Sequence, residues 1–133
     1  MPHELERLHQ LLVTFARDHA DAIAVQGATE CFTFRQLLAE VGLRTHSLRG
    51  RSSGPLVLAL DNGPHLLLWD LAALFAERPC VIVPSFFSVA QFSHCIEQSR
   101  ACHVLCDPQW HGTLAELGFA QQDVFWVREA QPA

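Results

Sequence analysis

Pro55-Leu-Val-Leu-Ala-Leu60, Cys80-Val-Ile-Val83 and Cys102-His-Val-Leu-Cys106 are three short apolar runs, and the segments between them decide the fold. Each run has the length and composition of a strand buried on both faces. Between the first two, Asp61-Asn62-Gly63-Pro64 turns the chain, with Asp61 or Asn62 as helix cap and Pro64 near N1. The helix that follows, Leu66 to Ala76, is apolar almost all round and is expected to be buried on most faces. Pro84 stops the second strand, and Ser88-Val-Ala-Gln91 reads as a capping box opening a second helix. Asp107-Pro108 ends the third strand. Strand, helix, strand, helix, strand implies two consecutive βαβ units and a parallel sheet with right-handed crossovers. The expected architecture is a three-layer α/β domain. Strands near 56–60, 80–83, 102–106 and 123–127 would form one mostly parallel sheet.

The flanking segments add to this core. Leu5, Leu8, Leu12, Phe15 and Ala16 recur at helical spacing over residues 3–19. Ala22-Ile-Ala-Val25 and Glu30-Cys-Phe-Thr33, joined through Gln26-Gly27-Ala-Thr29, read as a small hairpin. Thr33-Phe-Arg-Gln36 is a second capping box, opening a helix with Leu37, Leu38, Val41, Thr45 and Leu48 on one face. Gly50-Arg-Ser-Ser-Gly54 reads as a flexible loop. Asp107 is expected to cap a helix with Pro108 at N1, running to about Leu117 and stopped by Gly118. Asp123 to Val127 is a last apolar strand, and Arg128 to Ala133 a polar, frayed tail. No repeat or linker divides the chain, so residues 1–133 are expected to form a single domain.

Composition excludes much chemistry. Half of the 133 residues are hydrophobic, and the mean hydropathy of +0.15 is high for a small soluble monomer. Something is expected to cover part of this surface. The formal charge is −5, and the nine basic residues are single, scattered arginines, which argues against nucleic-acid binding. There is no Lys, which removes a phosphate-loop lysine, a Schiff-base lysine and a lysine acid or base. There is no Tyr either. No apolar run reaches the roughly 18 residues of a membrane span, and no signal peptide is read at the N-terminus. Five cysteines, most in expected strands or helices, read as buried free thiols of a cytoplasmic protein.

The order of elements resembles the beginning of the adenylate-forming (AMP-binding) superfamily. That superfamily comprises acyl-CoA synthetases, fatty-acyl-AMP ligases, the adenylation domains of nonribosomal peptide synthetases, and luciferases. Asp21-Ala-Ile-Ala-Val25 resembles their "PDAIAV" opening. Phe32-Thr-Phe-Arg-Gln-Leu37 resembles their first core motif, leucine-threonine-tyrosine-x-glutamate-leucine, with Phe34 for the tyrosine and Gln36 for the glutamate. Asp61-Asn62-Gly-Pro-His65 resembles their "NSPE" turn, and Leu74 to Pro84 their second core motif. Glu77-Arg-Pro79 departs from the Ala-Gly of that motif. Gln91 to Leu105 resembles their "LxxILxDSGAxVLL" segment. The likeness covers residues 10–107, and family members are several times longer. Their phosphate loop, adenine-contacting segment, ribose-binding aspartate and C-terminal lid have no counterpart here. The resemblance therefore implies architecture and transfers no catalytic residue. It implies ATP and Mg²⁺ for a parent enzyme, with no cofactor bound by this chain.

Each tempting constellation has a plainer counterpart. Cys102, His103 and Cys106 could suggest zinc, but strand residues four apart lie about 13 Å apart and His103 faces the other side, which favours core packing. The other histidines are dispersed, without a two-ligand helical pattern. Ser52-Ser53-Gly54 is no phosphate loop, because no Lys follows and a strand comes next. The helix start at Asn62-Gly63 could present N–H groups to an anion, but Asp61 favours a plain cap. Phe86-Phe87 is either a contact surface for a missing domain or ligand, or folds back on the core.

No catalytic, cofactor-binding or metal residue is assigned. Ligands of open α/β sheets gather outside the carboxyl ends of the strands. Asp61, Asn62, Ser85, Phe86, Phe87 and Asp107 are therefore the candidate ligand or partner edge. Three functions fit. The chain is the N-terminal subdomain of an ATP-dependent ligase that activates a fatty or aryl acid as acyl-adenylate, and is inactive alone. Alternatively it is a standalone interaction or dimerisation domain of that fold, or a flavodoxin-like nucleotide binder. The expected partner is the rest of a ligase chain or a second copy. Contact is expected through the apolar helix, among Leu67, Trp69, Leu71 and Phe75, with no membrane or nucleic acid involved.

Overall fold

A computed structural model describes residues 2–51 and 54–129. Ser52 and Ser53 of the expected loop, and residues 130–133 of the expected tail, lie outside the described residues. The chain divides into two compact units, one from Met1–Ser52 with Asn62–Glu77 and one from Ser53–Asp61 with Arg78–Ala133.

The first unit is mainly helical. It contains α1 (His3–Asp18), β1 (Ile23–Gln26), β2 (Cys31–Thr33), α2 (Phe34–Arg49) and α3 (Pro64–Phe75). Leu5, Leu8 and Leu12 bring α1 onto a cluster formed by Leu37, Val41, Leu68 and Phe75. The expected Thr33 capping box is present: Gln36 N–H donates to Thr33 Oγ1 at 3.2 Å and Thr33 N–H to Gln36 Oε1 at 2.9 Å. Helix α2 buries Leu37, Val41, Thr45 and Leu48, the face read from the sequence. β1 and β2 pair antiparallel as expected. Gly27 in their turn sits so close to Pro64 that a Cβ there would lie 2.6 Å from Cδ of the proline ring.

One expectation for α3 fails and another holds. Its N-cap is Gly63, with no side-chain cap bond, so neither Asp61 nor Asn62 caps it. Its apolar circumference is largely covered, as expected. Phe75 is buried with its ring edge-on to His9. Leu71 packs on the shared cluster. The Arg44 guanidinium lies over the half-buried Trp69 ring. Of the four residues among which a partner contact was expected, Leu67 is exposed, and Leu74 beside them is exposed too. A helix packed on neighbours from several directions has no need of a polar face.

The second unit holds the sheet. Its elements are β3 (Leu56–Ala59), β4 (Cys80–Ile82), α4 (Val89–Ser99), β5 (His103–Cys106), a 3₁₀ turn at Pro108–Trp110, α5 (His111–Glu116), β6 (Ala120–Gln122) and β7 (Phe125–Val127). The order is β4-β3-β5-β7-β6. β3 runs parallel to both neighbours, with Val57 level with Val81 and Val104. All four β3 residues are buried, as a central parallel strand requires. Val57, Ala59, Val104 and Trp126 pack with Phe92 and Ile96 of α4 and Leu114 of α5. Inside that layer the Phe92 and Trp110 rings stack at 4.1 Å, 6° from parallel.

The α/β class and the parallel centre are as expected. The last strand is different. Residues 123–127 supply β7, which pairs antiparallel with β5 and with the unanticipated β6. Asp123 turns between them at φ 58°, the left-handed region that Asp tolerates better than most residues. Three parallel strands next to an antiparallel hairpin differ from the wholly parallel sheet of a flavodoxin-like nucleotide binder.

Candidate functional site

The parallel register of β3, β4 and β5 puts their carboxyl ends on one side of the sheet. There the backbone is tied tightly. Val83 N–H donates to Leu58 O at 2.8 Å, and Asp107 N–H to Ala59 O at 3.1 Å. Asp107 does not act as the expected side-chain cap. Its carboxylate reaches across the edge instead, accepting the Asp61 N–H at 2.7 Å. With the side chain so occupied, the chain after Pro108 makes one 3₁₀ turn and then the short α5, not one continuous helix to Leu117.

The six candidate residues separate into groups. Asp61 and Asp107 are joined directly. Ser85 is joined through Gln109, whose amide donates to the Ser85 carbonyl at 3.1 Å. Phe86 and Phe87 part company: Phe87 packs on the core, whereas Phe86 is 83% exposed. Their rings remain edge to face at 5.9 Å. Asn62 opens the helical unit. The six include no nucleophile paired with a base and no cation. What the edge offers is a fixed loop platform carrying one exposed aromatic ring.

A buried polar centre at the amino ends of the same strands was missed. Arg78, just before β4, donates from Nε to the Gly54 carbonyl at 3.0 Å. Its Nη2 lies 3.3 Å from Nδ1 of His103, the first residue of β5. His103 is buried with its ring edge-on to Phe125, consistent with core packing. The sequence signal was Glu77-Arg-Pro79, the departure from the Ala-Gly motif: an Arg between a helix and a buried strand has few places to go but inward. Cys106, a second residue of the zinc-like trio, has its thiol pushed up to about 12 by burial and by the neighbouring Asp107 charge. Such a thiol carries essentially no thiolate at neutral pH and is neither a nucleophile nor a ready metal ligand. Among the described residues no group of three His, Cys, Asp or Glu side chains is placed to hold a metal ion. No helix among them is long and apolar enough to cross a membrane.

The fold is shared with solved structures. Over 83% of its length the chain matches a mutant form of coronafacic acid ligase from Pectobacterium brasiliense, with a TM-score of 0.72 and 18% identity, covering 23% of that chain. It matches the N-terminal subdomain of NpsA from Klebsiella oxytoca at a TM-score of 0.64 and 14% identity, over 75% of this chain and 27% of that one. ATP-bound MatB from Rhodopseudomonas palustris matches at a TM-score of 0.63 and 22% identity, over 80% of this chain and 23% of MatB. The chain thus shares the fold of a part of each of these structures and spans about a quarter of their length. No family model matches the chain, and no curated protein does.

Proposed function

We propose that this chain is the N-terminal structural subdomain of a cytoplasmic ATP-dependent ligase that converts a carboxylic acid, fatty or aryl, to an acyl-adenylate with ATP and Mg²⁺. The observation that carries this reading is the match of most of the chain to about a quarter of a coronafacic acid ligase, of ATP-bound MatB and of an NpsA N-terminal subdomain. Its contribution is architectural. A sheet buried on both faces of β3 holds the Asp61, Ser85 and Asp107 loops in place, and no residue of that edge is equipped for adenylation. Pyrophosphate exchange with a panel of fatty and aryl acids tests this. The chain alone is expected to stay at background, and an enzyme that continues past Ala133 to exchange. Acid-dependent exchange by the pure chain would overturn the proposal.

A second reading, an interaction domain, is favoured by one observation. Ile82 on the edge strand, Phe86 and Val89 are 47%, 83% and 58% exposed within eight residues of sequence. An apolar surface of this kind marks contact with protein. Light scattering over a dilution series distinguishes the two. Concentration-dependent dimers lost in Phe86→Ser favour interaction, and a monomer at all concentrations counts against it.

A further inference from the structure

The helical unit contains a groove of about 280 Å³ between α1, α2 and α3. We propose that it binds a small amphiphile with an apolar body and an anionic head. The floor is apolar: Val41 and Phe75 are buried and Leu38 half-buried. Thr45 adds little polarity, because its hydroxyl donates to the Val41 carbonyl at 2.7 Å. One wall is low because position 42 is Gly, where an added Cβ would meet nothing within 4 Å.

The rim has the opposite character. His9, His46 and Arg49 line it, and no Asp or Glu among the described residues does. Neither imidazole hydrogen-bonds another described residue. Arg49 donates from Nη2 to the Phe75 carbonyl at 3.0 Å, leaving its other N–H groups for a ligand. That bond also covers a carbonyl at the end of α3, where the helix dipole would otherwise repel an anion. The volume falls just below the roughly 300–1,000 Å³ typical of ligand pockets, so the occupant is short. The groove shares no residue with the sheet edge and does not depend on the ligase reading.

Octanoate is a suitable probe, with 1-octanol as its uncharged control, in an NMR titration of the full chain. Saturable shifts are expected at Gly42, Thr45 and His46, with octanoate binding about tenfold tighter than octanol, the worth of one charge-assisted contact. Arg49→Gln should erase that preference. Gly42→Leu places a side chain in the groove at an exposed helical position and should abolish binding, its fold verified in the same spectra. The proposal fails if shifts do not saturate or map away from α1, α2 and α3. It fails equally if Arg49→Gln keeps the preference, or if folded Gly42→Leu still binds.

Discussion

β3 in the sheet unit has all four of its residues buried, whereas α1 in the helical unit is 16 residues long and has no fully buried residue. The two units hold themselves together differently. In the sheet unit, side chains fasten backbone at both ends of the strands: Asp107 to Asp61, Gln109 to Ser85 and Arg78 to Gly54. In the helical unit, half-buried leucines of α1 rest on α2 and α3. A polar chain runs from the half-exposed Glu30 and His65 through Arg44 to Glu40, its Arg44 end part-buried. Exposed ion pairs contribute little, about 0–1 kcal/mol each. The sheet unit should therefore open only with global unfolding, while α1 should open locally at lower free energy.

The largest test lies in the sheet unit. Phe92 is fully buried and stacked on Trp110. Phe92→Ala should cost about 3–5 kcal/mol in denaturant unfolding, by lost transfer energy and the cavity left behind. Leu8→Ala, the matching truncation in α1, should cost about 1 kcal/mol, since a half-buried side chain loses less area. Equal losses in the two variants would abolish the contrast between the units.

The next effect lies in the helical unit. Gly27→Ala drives a methyl to within 2.6 Å of the Pro64 ring, at a place where the hairpin and the start of α3 must both yield. The expected loss is about 1–3 kcal/mol, the usual cost of overpacking. Gly42→Ala meets open space and should stabilise by about 0.5–1 kcal/mol through helix propensity. If the two substitutions move the melting midpoint in the same direction, the close packing at Gly27 is not what fixes that corner.

How far the sequence could be read follows the same division. The three apolar runs, both capping boxes and the buried face of α2 were legible, because each rests on local spacing and chemistry. β6 was not: Ala120-Gln121-Gln122 is fully exposed and lacks an apolar pattern. It is a strand only because β7 supplies its hydrogen bonds. The caps at Asp61 and Asp107 were misread for a related reason. A carboxylate near a helix start has a local use, but here Asp107 found a better donor 46 residues away. That the carboxyl ends of β3, β4 and β5 share one side was legible, since parallel strands dictate it. The separate fates of Phe86 and Phe87 were not, because adjacent aromatics in a loop carry no periodicity.

A smaller effect probes that long-range bond. Asp107→Ala removes the acceptor of the Asp61 N–H, and water can replace it at this exposed edge, so the expected loss is about 0.5–1.5 kcal/mol. Asp107→Asn keeps a carbonyl oxygen for the same donor and should lose less than half as much. Global stability alone would not separate the bond from a general effect of charge. Amide hydrogen exchange does: Asp61 should exchange faster in Asp107→Ala, while the amide of Val57, deep in β3, keeps protection that falls only with the global loss. Breaking the Glu30–His65 pair with Glu30→Gln should change stability still less, because both side chains remain about half exposed. If Glu30→Gln proves as costly as Asp107→Ala, surface polar contacts fasten the two units equally, and the difference between them reduces to buried area alone.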